Sequence, residues 1–421
     1  MEALSRTILN NGIAVISERM PHVRSVSVGI WVKAGSRYES AQENGIAHFI
    51  EHLLFKGTQN RSAEAIAREI DSIGGNLDAF TSKELVCFNG KMLDEHLSVG
   101  FDILADLVLN PLFREEDIEK ERGVVLEELK AEFDNPELMV HDIFSEHFWK
   151  GNPLGRPILG SNHTVKRLNQ AMIRQYFHNH YTPANFVISA AGNVDHGRLV
   201  KLVEERFGHL PPGKQSLPQP ANEPSALIQM RSKKSLEQTH VCLGVPFIEM
   251  THPMRYAGYV LNTLLGGSVS SRLFQNVREK RGLAYSVLSE QYLYQDAGCL
   301  SVYAGTSTEA VPELIRLTLA EFRDLKERPV PPDELRRAKD NLKGSLMLSL
   351  ESTGSRMSHI ARQHIYYNRF ATMDELLEQT EAVTAQQIRE LANQYLVADK
   401  IALTLLGPLN GLRISREDLV C

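Results

Sequence analysis

The sequence lacks the features that would assign it to a membrane protein or a nucleic-acid-binding protein. It contains no apolar run near the ~20 residues that a bilayer-spanning helix needs. Its N-terminus lacks the charged start, apolar middle and small-residue cleavage site of a secretory signal. No basic stripe interleaved with aromatic residues is present. We therefore expect a cytoplasmic protein with no membrane span and no nucleic-acid partner, or a mitochondrial matrix protein if the source is eukaryotic.

Cysteine is scarce, and its spacing excludes a dense disulfide framework. The cysteines Cys87, Cys242, Cys299 and Cys421 are far apart and form no CxxC pair. We expect buried free thiols.

The composition that remains is that of an ordinary globular protein. Apolar residues make up 43% and charged residues 23% of the 421 residues, which excludes disordered and fibrous classes. At roughly 150 residues per domain, the length predicts two or three domains. The net charge of −6 suits a cationic partner.

The chain contains an internal repeat. The stretch "IRQYFHNHYTPANFVISAAGN" from Ile173 lines up without gaps with "IRELANQYLVADKIALTLLGP" from Ile388. Two further matches, in the same order, pair "LADLVLNPLFREEDIEKERGVVLEEL" with "LAEFRDLKERPVPPDELRRAKDNLKGSL" and "SVSVGIWVKAG" with "THVCLGVPFIE". These matches predict two homologous halves, residues 1–209 and 227–421, joined by the proline-rich linker 210–226.

Each half mixes alternating strand patterns with helices of 12 or more residues. The strands look half-exposed, whereas a doubly wound fold would need more continuous apolar strands. We therefore predict an α+β fold in which each half is a mainly antiparallel sheet with helices packed on it.

One predicted helix carries a candidate metal motif, in the stretch "GIAHFIEHLLFKGT". In a helix, His48 and His52 share a face, and Glu51 reaches the same space. Two imidazoles beside a carboxylate suit a catalytic zinc ion and its water. The alternative is an amphipathic helix with two surface histidines.

A catalytic zinc needs a third protein ligand, and the acidic helix from Glu115 is the best place to look. Glu121, Val125, Glu128 and Glu132 form one stripe of that helix, and Glu127 lies off it by about 100°. We therefore prefer Glu128 as the ligand and Glu121 as a carboxylate that orients a histidine. The alternative is a solvated acidic face.

Together these stretches resemble a known family. "HFIEH" followed by "ERGVVLEE", with "GGNLDAFTSKE", "NPLGRPILG" and "SSRLFQNVREKRGLAYSV" in the same order, resembles the inverted-motif (HxxEH) zinc metallopeptidases. That family includes pitrilysin, insulin-degrading enzyme and mitochondrial processing peptidase. The chain is most similar to its short, two-domain members of the processing-peptidase-beta kind.

The resemblance implies His48, His52 and Glu128 as zinc ligands, Glu51 as general base and Glu121 as a supporting carboxylate. It also implies two halves that form a clamshell around a peptide. Because Glu128 aligns with Ser345 in the repeat, where no second HxxEH occurs, we expect one Zn²⁺ per chain.

The resemblance also implies roles for Arg278 and Tyr285, in "VREKRGLAY", in binding substrate and stabilising the tetrahedral intermediate. The alternative is a basic helix end followed by a tyrosine that starts a core strand.

The strand "NLDAFTS" alternates like an edge strand to which an extended peptide could add, and the resemblance implies Asn76 and Ala79 near that peptide. The expected function is a zinc-dependent endopeptidase that acts on basic or extended peptides, including presequence-like segments. We expect a homodimer, with a heterodimer as the alternative. A second hypothesis is a structural or partner subunit of a processing-peptidase-like complex.

Overall fold

The structure is a computed structural model that describes residues 4–421. Its strands are β1 (Leu4–Ile8), β2 (Ala14–Arg19), β3 (Ser25–Val32), β4 (Asn76–Thr81), β5 (Val86–Leu93), β6 (Phe186–Gly192), β7 (Ile228–Ser232), β8 (Thr239–Phe247), β9 (Ala284–Leu293), β10 (Gly298–Thr306) and β11 (Ala402–Gly407).

Its α-helices are α1 (Ile46–Leu54), α2 (Ala63–Ser72), α3 (Leu97–Leu109), α4 (Glu115–Asp134), α5 (Pro136–Phe148), α6 (Asn162–Arg167), α7 (Gln170–His180), α8 (His196–Phe207), α9 (Arg255–Leu265), α10 (Val311–Glu327), α11 (Pro332–Ser349), α12 (Thr353–Arg362), α13 (Met373–Glu381) and α14 (Ala385–Tyr395). Two π-helical turns occupy Phe274–Glu279 and Gln363–Tyr367.

The chain divides into two compact units that exchange segments. Within the described part of the chain, the first unit comprises residues 4–130, 156–219 and 349–370, and the second comprises 131–155, 220–348 and 371–421. Residues 211–227, in and beside the predicted linker, contain no helix or strand. A single boundary does not describe this exchange, and the division into 1–209, 210–226 and 227–421 stays a prediction.

The first unit is built on a six-stranded sheet in the order β1-β2-β6-β3-β5-β4. Neighbouring strands run antiparallel except β2 and β6, which are parallel. One face packs on a core that includes buried residues of α1, α3, α4, α7 and α8. On the other face, Trp31 and Cys87 pack with Met357 and Ile360 of α12.

The second unit repeats this plan with a five-stranded sheet in the order β7-β11-β8-β10-β9. Its parallel pair is β7 and β11, and the other neighbours are antiparallel. Helices α9, α10 and α14 cover one face. On the other face, Val140 and Phe144 of α5 pack with Cys242 and Cys299.

The α+β fold with two mainly antiparallel sheets is confirmed, and the matching elements support the repeat. Helix α7 leads into β6, which ends at Gly192, and α14 leads into β11, which ends at Gly407. The expectation of half-exposed strands was wrong for the central strands. The last seven residues of β3 are buried, because α12, from the C-terminal part of the chain, covers the second face of the sheet.

Among residues 4–421, none of the helices combines the length and the apolar character needed to cross a bilayer. The described cysteines Cys87, Cys242 and Cys299 are buried free thiols, whereas Cys421 is free but only partly buried.

Candidate metal centre

The predicted HxxEH helix is formed by α1. Its apolar side, which includes Phe49, Ile50 and Leu53, is buried in the core of the first unit. Because that side is buried, His48 and His52 face away from the core. Their side chains are 13% and 17% exposed. The helix begins after Gly45, whose φ of +95° and contact with Leu159 leave no room for a Cβ.

Helix α4 brings two glutamates to the histidines. Val125 is buried in the same core as α1, and this burial directs the stripe of Glu121 and Glu128 toward α1. Glu127 is exposed and pairs with Lys130 at 2.6 Å instead. The preference for Glu128 over Glu127 therefore agrees with the packing of α4.

Three side chains converge as a candidate metal-binding group. One ligand atom each from His48, His52 and Glu128 lies within 4.8 Å of the others. Oε2 of Glu128 is 3.8 Å from Nε2 of His48 and 3.5 Å from Nε2 of His52. Bonds of about 2.0–2.2 Å to a tetrahedral zinc ion place neighbouring ligand atoms about 3.3 Å apart. Two imidazoles and one carboxylate at these separations fit zinc.

The environment of His48 favours the neutral imidazole that a metal requires. Burial, followed by the neighbouring His52, lowers the pKa of His48 to about 4. The two rings lie 4.7 Å apart between centroids, so their protonated forms would repel each other. His48 therefore stays neutral and available as a ligand well below pH 6.

The second nitrogen of His52 has a carboxylate partner. Nδ1 of His52 lies 3.2 Å from Oε2 of Glu121, which is buried. The other oxygen of Glu121 contacts Nζ of Lys56 at 2.8 Å. In the tautomer with the proton on Nδ1, the carboxylate accepts a hydrogen bond from the Nδ1–H group, and Nε2 has its lone pair on the side of Glu128. Lys56 balances the charge of Glu121.

The carboxylate of Glu51 is held by a strand of the neighbouring sheet. Thr81 at the end of β4 donates its hydroxyl proton to Oε2 of Glu51, with an O···O distance of 2.5 Å. Within residues 4–421, no hydrogen bond is found to Oε1. Burial raises the pKa of Glu51, while the hydrogen bond from Thr81 and the charge of His52 oppose the shift. The result is a fixed carboxylate with one free oxygen and increased basicity.

Strand β4 lies at the edge of the first sheet. Ala79 shares with Leu77 and Thr81 the face that packs on the core with α1, and Asn76 lies on the opposite face and is exposed. An extended peptide that pairs with this edge at Ala79 would replace the hydrogen bond that the backbone N–H of Ala79 donates to Oδ1 of Asp78 at 2.9 Å. Peptide binding by Asn76 and Ala79 stays a prediction.

Arg278 and Tyr285 belong to the second unit and contact each other. The Arg278 guanidinium lies 4.6 Å from the centroid of the Tyr285 ring and 4.8 Å from that of Phe274. Tyr285, the second residue of β9, is 78% exposed, so its side chain does not pack in the core. The pair therefore presents a guanidinium and a phenol at the surface of this unit. Their role toward substrate stays a prediction.

The sequence analysis did not identify three residues near the centre, Thr81, Lys56 and Glu39. Of these, Glu39 contacts the start of α1. Thr81 shares its strand face with Ala79, so the period of two could have suggested it. Lys56 lies four residues after His52 and could have been considered as a neighbour on the same side. Glu39 precedes α1 in an irregular segment, and no periodic pattern points to it.

Comparison with solved structures identifies the class of fold. A crystal structure titled peptidase M16 inactive domain, from Pseudomonas fluorescens, superposes with a TM-score of 0.90 at 20% identity and covers 96% of this chain and 98% of its own. A protease from Helicobacter pylori gives a TM-score of 0.89 at 23% identity over 96% and 100% of the two chains. The chain thus shares its fold with these two solved structures.

Comparison with related sequences identifies the family, which the fold alone does not. The family descriptions "Insulinase (Peptidase family M16)" and "Peptidase M16 inactive domain" match residues 14–162 and 167–342. YmxG of Bacillus subtilis, described as an uncharacterized zinc protease, is 42% identical over 97% of this chain and 99% of its own. A Streptomyces coelicolor protein with the same description is 39% identical over 98% and 91%. The chain belongs to the M16 peptidase family.

Proposed function

We propose that this protein is a zinc-dependent endopeptidase that hydrolyses extended peptides, including presequence-like segments. The observation that carries the proposal is the convergence of His48, His52 and Glu128 within 4.8 Å. The carboxylate of Glu51 is close enough to His52 and Glu128 for their charges to change its pKa. The zinc protease descriptions of the relatives support the same reaction class.

The side chains divide the chemistry among them. A zinc ion held by His48, His52 and Glu128 would supply a Lewis acid for the scissile carbonyl and lower the pKa of water toward ~7. Glu51 accepts the proton of the attacking water at Oε1 and delivers it to the nitrogen of the leaving amine. Its raised pKa makes the carboxylate a stronger base toward the attacking water.

The substrate follows from the strand edge and the charges around the centre. An extended peptide adds to the free edge of β4 through main-chain hydrogen bonds, which tolerates many sequences. Glu116 and Glu119 of α4 pair with Arg114 and Arg122, but the helix carries more acidic than basic residues, and this net negative charge attracts basic side chains at long range. Binding of basic peptides should weaken as salt screens this attraction.

The alternative function is a structural or partner subunit of a processing-peptidase-like complex. The family description that covers residues 167–342 refers to an inactive domain, and in the described chain the one candidate metal group lies in the first unit. The complete donor set of that group favours the enzyme. A chain that binds zinc but cleaves only after a second, different subunit is added would support the alternative. Light scattering of the purified chain alone would give the mass of a dimer for the expected homodimer and the mass of a monomer if a different subunit is required.

The decisive experiment compares the wild type with Glu51→Gln on a mixed peptide library read by mass spectrometry. The wild type should cleave, and a chelator should abolish cleavage. Glu51→Gln should keep the zinc content while losing at least ~100-fold in rate, because the proton acceptor is removed. Glu127→Gln, an exposed carboxylate paired with Lys130, serves as the control. Retained cleavage by Glu51→Gln would exclude its role as the base.

A further inference from the structure

Glu39 is a buried carboxyl group to which the reaction described above assigns no role. Glu39 is 3% exposed, and its two carboxyl oxygens together accept three hydrogen bonds. Oε2 accepts from the backbone N–H of Gly45 at 2.8 Å and from Nδ2 of Asn44 at 3.0 Å. Oε1 accepts from the backbone N–H of Ala47 at 2.9 Å. Burial raises the pKa of Glu39 to about 7, and these three donors oppose the shift.

These bonds lie at the start of the helix that carries the metal motif. The residue before α1 is Gly45, which has no side chain to cap the helix. The first N–H groups of a helix have no partners within it and cost free energy when they are buried unpaired. Glu39 supplies the missing acceptor, and its negative charge matches the positive end of the helix dipole. Its partner Ala47 directly precedes His48.

The backbone of Glu39 is itself anchored. Nη1 of Arg156 donates to the carbonyl oxygen of Glu39 at 2.7 Å, and Nζ of Lys83 donates to the carbonyl oxygen of Arg156. Two residues before Glu39, the buried Arg37 forms an ion pair with Glu84 at 2.7 Å. The turn before α1 is therefore fixed to the hairpin that follows β4.

The same hairpin begins at the end of β4, where Thr81 holds Glu51. Backbone bonds join Ser36 to Ser82 at 3.0 Å and Arg37 to Lys83 at 2.7 Å. A displacement of α1 along or about its axis would move Glu51 away from Thr81 and both histidines away from Glu128. Glu39 and Thr81 thus constrain α1 at two different points.

We propose that Glu39 is a positioning residue that fixes the start of α1, so that His48, Glu51 and His52 face Glu128 and Thr81. This inference rests on the proposed zinc peptidase function. It assigns Glu39 no contact with substrate or metal. Loss of its carboxylate would leave buried N–H groups unpaired and allow the start of α1 to shift.

The test measures zinc affinity and metal geometry separately from turnover. Zinc dissociation constants are determined by competition with a chelator at pH 8, where the Glu39 carboxyl is ionised, and cobalt(II) replaces zinc to report ligand geometry by absorption. Glu39→Gln turns an amide NH₂ group toward N–H donors. We expect at least ~10-fold weaker zinc binding, an altered cobalt spectrum, and a lower kcat with little change in KM.

The matched control is Glu43→Gln. The side chain of Glu43 lies in the same segment but, among the described residues, accepts hydrogen bonds from Ser40 only. The contact of Glu43 with α1 runs through its backbone carbonyl oxygen, which accepts from the N–H of Ile46 and which the substitution keeps, so wild-type zinc affinity is expected. If Glu39→Gln does not fold, Glu39→Asp keeps the charge but is one methylene shorter, and it should bind zinc at least ~3-fold more weakly.

A folded Glu39→Gln or Glu39→Asp variant with wild-type zinc affinity and cobalt spectrum would overturn the inference. A lower Tm with unchanged affinity and spectrum would do the same, because it would indicate a role in stability alone. Failure of the wild type to bind zinc would instead overturn the proposed function.

Discussion

The hydroxyl of Thr81 donates to Oε2 of Glu51 across 2.5 Å and joins the edge strand β4 to the helix α1. The bond fixes one carboxylate oxygen and leaves Oε1 for proton transfer. The candidate general base is thus held by a residue of the strand beside which the peptide is proposed to bind.

Removal of this hydroxyl should slow turnover without releasing the metal. We expect Thr81→Val to lower kcat about 10-fold, equivalent to ~1.4 kcal/mol, with an unchanged zinc content. Thr81→Ser keeps the hydroxyl and should restore most of the rate. Equal kcat values for the two variants would contradict the assigned role of the hydrogen bond.

Glu121 should matter for zinc affinity although it is not a ligand. Its Oε2 lies 3.2 Å from Nδ1 of His52, and loss of such a partner typically weakens metal binding by about 10- to 100-fold. We expect a loss of this size for Glu121→Gln in a chelator competition assay. Glu127→Gln, on the same helix but paired with Lys130, should bind zinc like the wild type. Similar affinities for both variants would show that Glu121 does not orient His52.

The predicted roles of Arg278 and Tyr285 can be tested through the rate. If they stabilise the tetrahedral intermediate, Arg278→Ala and Tyr285→Phe should each lower kcat by about 100-fold or more, with unchanged zinc content. Arg281→Ala is a suitable control, because Arg281 donates to the carbonyl oxygen of Asn276 and belongs to the same segment. A loss of stability without a loss of kcat would favour a structural role.

His364 should make the metal-free protein less stable in acid. Burial, then the charges of Arg6 and Lys33, lower its pKa from 6.5 to about 4. Between pH 4 and 6.5 the unfolded chain therefore binds more protons at this histidine than the folded chain does. The free energy of unfolding should increase as the pH rises through this window. Because the ring is partly exposed, solvent screening limits the effect to about 1–2 kcal/mol.

Urea unfolding with a chelator present, at several pH values, checks this prediction. His364→Gln should have a flatter dependence of the free energy of unfolding on pH than the wild type across this window. Parallel curves for the two proteins would contradict it.

Much of the candidate centre could be predicted because its signals are local. His48 and His52 follow the helical period, and the stripe of Glu121, Val125 and Glu128 on α4 distinguishes Glu128 from Glu127. The contacts of Thr81 and Glu39 could not be predicted, because they join segments distant in sequence through single side chains. The exposure of Tyr285 depends on tertiary packing, which the local strand pattern does not specify.

For the fold, too, local patterns predicted some features and long-range packing decided others. The repeat predicted two similar sheets, because helix and strand periods survive in both halves. It did not predict that α5 and α12 would each pack on the sheet of the unit formed mainly by the other half of the chain. No local pattern in an amphipathic helix specifies which of two similar sheets it will cover.

This exchange makes the two halves of the chain dependent on each other for folding. A chain cut at residue 226 would keep the whole first sheet but lose α12, exposing Trp31 and its apolar neighbours to water. The remaining C-terminal fragment would lose α5 and expose Cys242 and Tyr303 in the same way. A proteolytic nick in the linker should therefore leave both fragments associated, and neither repeat should be recoverable as an independent protein.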